Sequence, residues 1–259
     1  MRSTQRHDGN GTSAAPSVLD RVLAILGAFD GESRPLGTSE LARRTGLAKS
    51  TVHRLVCALV THGLLERHGD GVVLGLRLFE LAERVPRQHD LREAALPYMA
   101  DLRAATRQTV HLAVLDGTEV VYVEILRSRD APPLPSRVGG RLPAHATGVG
   151  KAILAFSPSE TVEAVIRGGL PRLSERTIAG PGLLQRELRA VRGNGIAYDH
   201  EESRAGLVCA ASPITAADGT IAGALSVSGW VGRLNVRRIA PAVRTAALAL
   251  SRDLGAPTQ

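Results

Sequence analysis

The segment Leu36 to Gly63, LGTSELARRTGLAKSTVHRLVCALVTHG, constrains the fold more than any other part of the chain. Val52, Leu55, Val56, Leu59 and Val60 fall at i, i+3, i+4, i+7 and i+8, one stripe of a 3.6-residue helix that has to be buried. Lys49, Ser50, Thr51, His53 and Arg54 crowd the other face at its N-terminal end. Just upstream, Thr38 reads as an N-cap, Glu40 places an acid in a first turn, and Leu41 and Ala42 supply a short apolar face. Gly46 then permits the awkward backbone between two helices. A short helix, a tight turn and a polar-tipped second helix suit a helix-turn-helix that reads base edges in a major groove. An ordinary helical hairpin shares the pattern, so the flanking sequence has to separate the two.

The flanks favour the DNA reading. Val18, Val22, Ile25, Leu26 and Phe29 recur at helical spacing after Ser17, a candidate N-cap, with Gly31 beyond the end. After Gly63, Leu64 to Leu74 reads as strand, Gly-Asp-Gly turn and strand. Three helices closed by a hairpin make a winged helix, with Arg67 and His68 of the hairpin placed to reach phosphate or minor groove. Residues before Ala15 are polar and read as disordered. Leu76 to Val85 reads as a linker helix stopped by Pro86, apolar on more than one side as if covered by a partner subunit.

The second half alternates helices and strands. Leu91 to Thr106 is amphipathic, Thr109 to Leu115 and Glu119 to Leu126 form a hairpin around Asp116-Gly117, and a Pro-rich loop spans Asp130 to Ser136. A strand from Val138 gives way to a Gly-rich helix start near Gly148, and helices follow around Pro158 to Arg167 and Leu183 to Arg192. Strands at Ile196 to Tyr198, Leu207 to Ile214 and Thr220 to Ser228 precede a last helix, Val236 to Leu254. Hairpins with flanking helices predict an α+β domain on an antiparallel sheet.

Charge and cysteine content narrow the function. The net charge of +7 suits a polyanionic partner. The excess is not concentrated where DNA would be read: through Asp90 there are 12 Lys+Arg against 10 Asp+Glu, and beyond it 20 against 15. Only Arg43, Arg44, Lys49 and Arg54, set against Glu40, make a locally basic reading surface. No apolar run is long enough for a bilayer and no signal-peptide core precedes Ser17, so the location expected is cytoplasmic, away from membranes. Cys57 and Cys209 lie in apolar patterns without a CxxC or flanking histidines, which argues against a disulfide framework or a metal site.

The motifs for chemistry are incomplete. Gly148-Val-Gly-Lys151 fails as a phosphate loop, with His145 and Ala152 where glycine and a hydroxyl belong, and fails as a dinucleotide fingerprint at Ile153. What remains is a helix whose first amides bind an anion, or glycines that permit close packing. Tyr198 to Glu202 reads on its own as a solvated charged turn. His111 reads as a hydrogen-bonded or edge residue, and Ser226 and Ser228 share a strand face turned either to a ligand or to solvent. No catalytic triad signature and no cofactor motif is present.

Three ordered segments together resemble the IclR family of bacterial transcriptional regulators, over about Val18 to Leu254. They are Leu41 to Leu47 with Ser50 to Leu55, Gly140 to Ala155, and Gly195 to Ile214 with Ala224 to Gly229. After the N-terminus at 1–15, read from its composition as disordered, the likeness implies a winged helix-turn-helix DNA-binding domain at 16–75, a linker helix at 76–90 and a GAF-like effector-binding domain at 91–256. It also implies action as a homodimer or homotetramer. Carried over by position, the effector's polar contacts fall on Gly148 and Val149 amides, Asp199, Cys209, Ser226 and Ser228, which reverses the bland reading of Asp199. The apolar wall falls on Ala131, Leu134, Leu142 and Leu207. Amides and hydroxyls suit a small organic acid, with Asp199 accepting from a ligand hydroxyl or water. The expected partners are thus duplex operator DNA and that acid, with contacts to DNA from Arg43, Arg44, Lys49, Ser50, Thr51, His53, Arg54 and Arg67. Two rivals remain: an enzyme fused to a DNA-binding module, and a redox sensor working through Cys209.

Overall fold

In the computed structural model, residues 16–32, 34–128 and 134–255 are described, with the side chains of 86–89 excepted. The expected disorder before Ala15 and the Ala131 wall position lie outside them. The chain divides into two compact units, Met1–Val85 and Pro86–Gln259.

The first unit is a winged helix. Helix α1 (Val18–Gly27) opens on a capping box in which Ser17 and Asp20 each satisfy the other's backbone. Helix α2 (Thr38–Thr45) starts one residue earlier than expected: its N-cap is Gly37, without a side-chain cap, and Thr38 is already helical. It ends at Gly46 in the left-handed conformation (φ 70°), a geometry that side chains with a Cβ resist. In α3 (Lys49–Thr61) the stripe Val52, Leu55, Val56 and Leu59 is buried with Ile25, Phe29 and Leu41 in one core. Strands β1 (Leu65–His68) and β2 (Gly71–Leu74) pair antiparallel as the wing, and Leu36 bridges to Val72.

The connector differs from a single helix over 76–90. Helix α4 (Leu76–Ala82) ends at the Glu83 cap, and Pro86 does not stop a helix but begins α5 (Pro86–Thr106). A first-turn amide has no intrahelical acceptor, so a proline lacking N–H is tolerated there.

The second unit is an antiparallel six-stranded sheet in the order β5-β4-β3-β8-β7-β6. Its strands are β3 (Thr109–Asp116), β4 (Glu119–Leu126), β5 (Arg141–Pro143), β6 (Ala197–His200), β7 (Leu207–Thr215) and β8 (Ile221–Trp230). Helices α5 and α9 (Val236–Gly255) cover one face, through Leu91, Ala95, Met99, Val243, Ala247 and Leu250. Helices α6 (Gly148–Phe156), α7 (Ser159–Arg167) and α8 (Pro181–Asn194) cover the other. The α+β expectation holds, and strand alternation decides which side chains meet which helix layer.

Candidate functional site

The site residues of the second unit gather where α6 begins above the sheet. Thr147 caps α6 by accepting from the Gly150 amide at 3.0 Å. The amides of Gly148 and Val149 precede the first intrahelical acceptors and have no hydrogen bond among the described residues. The helix start approaches the strands so closely that a Cβ on Gly148 would stand 2.9 Å from Cys209 Sγ and 3.6 Å from the Asp199 amide. One on Gly150 would meet the Ala144 carbonyl at 2.1 Å. The close-packing reading of these glycines therefore applies, and two amides at the helix start are left uncapped.

Register assembles the floor. Cys209 lies opposite Asp199 on one side and Ser228 on the other, and Ser226 lies between Ala211 and His111. Side chains directly opposite share a face, so Asp199, Cys209, Ser226, Ser228 and His111 form one buried polar patch under α6. Tyr122 of β4 packs in the same layer, its ring 5.2 Å from that of His111. Leu142 packs against this cluster, and Leu134 is buried with its carbonyl 3.1 Å from Arg127 Nη1. Leu207, two residues before Cys209 on β7, is half-buried. A separate cleft of about 680 Å³, lined by Leu91, Val114, Leu115 and Ile153 among others, shares none of these positions.

The environment fixes protonation states. Burial pushes the Cys209 thiol up to about 12, with the Asp199 charge adding, against hydrogen bonds from Ser228 and Ser226. A reactive sensor cysteine needs the opposite shift, so the redox reading of Cys209 loses its chemical basis. Burial brings His111 down to about 3, with Arg127 adding, so its ring is neutral. Its Nε2 is 2.8 Å from Ser136 Oγ and its Nδ1 3.4 Å from Ser228 Oγ. It sits on a central strand rather than at an edge.

Asp199 is buried rather than solvated, and its oxygens are committed to its own turn. Oδ1 accepts from the amides of Glu202 (2.7 Å) and Ser203 (3.4 Å), and Oδ2 accepts from Ser203 Oγ at 2.5 Å. Glu201 at the turn takes a positive φ of 67°. Asp199 thus shapes the wall by folding residues 199–203, a role the sequence reading did not assign. Burial raises its pKa, opposed by these bonds and by Lys151. Lys151, dismissed above as part of a failed phosphate loop, is fully buried, with Nζ 2.6 Å from Glu202 Oε1 and 3.0 Å from Glu187 Oε1. The other Glu202 oxygen is buried without a partner. Nothing local in sequence pairs residues 151 and 202; only the fold does.

On the first unit the expected DNA contacts divide. Arg44 donates to Glu40, to Glu32 and to the Ala28 carbonyl, so it braces α2 against the α1 end rather than facing outward free. Arg43 is exposed and paired with Glu40, whose carboxyl the two arginines hold down at about 2. Lys49, Ser50, His53 and Arg54 are exposed at the start of α3, and Thr51 is half-exposed. Among the described residues Lys49 and Arg54 form no ion pair. Arg67 of the wing is exposed, its Nη2 4.0 Å from Cys57 Sγ of α3. Among the described residues no helix is long and apolar enough to cross a membrane, and no group of three side chains could hold a metal ion.

Comparison with known proteins fits both halves. The family description "IclR helix-turn-helix domain" matches residues 18–69, and "Bacterial transcriptional regulator IclR C-terminal" matches residues 84–252. The chain belongs to the IclR family. It is similar to the HTH-type transcriptional regulator XynR of Escherichia coli (strain K12), 33% identical over 245 residues, or 92% of this chain and 97% of that protein. Among solved structures, an IclR homolog from Microbacterium hydrocarbonoxydans complexed with 4-hydroxybenzoate superposes with a TM-score of 0.84 at 35% identity. That match covers 92% of this chain and 99% of that one. The Thermotoga maritima IclR superposes with a TM-score of 0.76 at 28% identity, covering 92% and 98%. The IclR-type chain is a DNA-binding transcriptional regulator with an effector-binding C-terminal domain, and its relatives are regulators rather than enzymes.

Proposed function

We propose that this IclR-family protein is a cytoplasmic regulator that binds a palindromic operator as a homodimer or homotetramer and is switched by a small organic acid. The observation that carries the acid is the pair of uncapped amides at Gly148 and Val149, with Gly148 seated close on Cys209, whose neighbours across the β7–β8 ladder include Ser226 and Ser228. A helix start attracts negative charge, and buried hydroxyls add donors without adding a competing charge. The 4-hydroxybenzoate bound by the Microbacterium relative makes aromatic acids the first probes.

Lys49, Ser50, Thr51, His53, Arg54 and Arg67 read the duplex in this account, with Arg43 nearby. Two such helices in a dimer face half-sites about 34 Å apart. Leu76, Phe79 and Leu81 of α4 are exposed apolar residues, which supports a partner subunit over the 76–90 connector. Effector binding biases operator affinity by a coupling of about 1–3 kcal/mol. Domain limits of 16–75, 76–90 and 91–256 complete the proposal.

Titration with 4-hydroxybenzoate and other small acids tests it. At a hundredfold excess over Kd a ligand stabilises by about 2.7 kcal/mol, a rise of roughly 5–11 °C in the second unit's Tm. Ser226→Ala with Ser228→Ala should abolish that rise. A double variant that responds as the wild type does removes this cluster as the effector site.

A further inference from the structure

Tyr122 was not singled out by its sequence context, and its surroundings give it more to do than fill space. The side chain is 8% exposed and packs on the polar patch under α6, beside His111 and within electrostatic reach of Cys209 and Asp199. Its backbone is fully engaged, with the N–H donating to Gly140 and the carbonyl accepting from Gly139. Its hydroxyl has no hydrogen-bond partner among the described residues. Unlike Glu202 Oε2 and Trp230 Nε1, it is not sealed away as a buried orphan, so it keeps access to solvent and is open to a ligand's acceptor. In the same patch Asp199 gives its oxygens to Glu202 and Ser203, and Ser228 lies against His111.

We propose that Tyr122 is a direct effector contact, donating its hydroxyl proton to the acidic group of the ligand held at the start of α6. The proposal rests on the assignment of that cluster as the effector site and adds a donor from β4, on the far side of β3 from Ser226 and Ser228. Burial, with Cys209 and Asp199 adding, raises the phenol's pKa, so it remains a donor wherever the effector is ionised. The acid is then held from two directions, by backbone amides and by a phenol. The adjoining His111 and Tyr122 rings line the wall with aromatic surface, which suits a planar aromatic acid better than a branched aliphatic one.

The test is calorimetric titration of the full-length protein with 4-hydroxybenzoate and with its neutral isostere 4-hydroxybenzamide. The wild type should prefer the acid, and Tyr122→Phe, which keeps the ring and its packing, should lower that acid-to-amide preference by about tenfold. A purely structural role would weaken both ligands equally. An unchanged ratio in a folded Tyr122→Phe protein overturns the proposal. If the ratio is unchanged while the Ser226→Ala, Ser228→Ala protein loses acid binding, the site stands and only Tyr122 falls. A wild type that binds neither 4-hydroxybenzoate nor any other small acid overturns the site assignment and the contact together.

Discussion

Replacing Lys151 with methionine should destabilise the second unit severely, although the side chain is hidden from solvent. Its side chain is 1% exposed and its two carboxylate partners differ: Glu202 is 7% exposed, Glu187 32%. With the ammonium gone, Glu187 can turn to water and Glu202 cannot. Glu202 already has one oxygen without a partner, so it would have to take up a proton or draw water inside. Breaking a buried pair from one side costs about 3–5 kcal/mol. For a unit of this size that corresponds to roughly 6–20 °C in Tm. Removing the charge from both members, Lys151→Met with Glu202→Gln, should recover most of the loss, because the dominant penalty is the stranded carboxylate and not the missing attraction. Thermal melts of the wild type, both single variants and the double variant form the cycle. A Lys151→Met loss below about 1 kcal/mol, or a double variant no better than Lys151→Met alone, would show that Glu202 is hydrated and the reasoning mistaken.

Burial and pairing elsewhere in the molecule set two further outcomes. Arg54→Ala should weaken operator binding with an unchanged melt and reduce the slope of log affinity against log salt by about one, whereas Arg44→Ala should lower the first unit's melting temperature; the reverse pattern in paired melts and binding titrations would exchange their roles. His111 is neutral in the fold down to about pH 3 but takes a proton near 6.5 when unfolded, so acidification through that window favours the unfolded chain. His111→Gln should flatten the loss of stability between pH 6.5 and 3 by about 1.4 kcal/mol per pH unit, read from urea midpoints; parallel curves would mean that His111 charges in place.

Much of the architecture is written locally. The stripe in α3, the left-handed stop at Gly46, the wing and the hairpin of β3 and β4 all follow from neighbours a few residues apart, through helical and strand periodicity. The misreadings were local as well. Thr38 has the chemistry of a cap, but Gly37 takes the extended geometry and leaves Thr38 inside the helix. Pro86 has the chemistry of a stop, but the chain turns at Glu83 to Val85 and uses Pro86 to begin again. Either position satisfies the same local preference, and packing selects between them.

Which polar groups end up together was decided elsewhere. Lys151 and Glu202 are 51 positions apart, and His111 and Ser228 are 117 apart. Sequence periodicity marks which face of a strand a hydroxyl or imidazole occupies, and it says nothing about what that face will meet. Sheet order and register bring Asp199, Cys209, Ser228 and His111 into one patch, and the close seating of α6 excludes water from it. Exclusion of water is what turns Asp199 into a turn-former, keeps His111 neutral and strands one oxygen of Glu202, because the energy of a polar group depends on its surroundings and those are set by contacts distant in the chain.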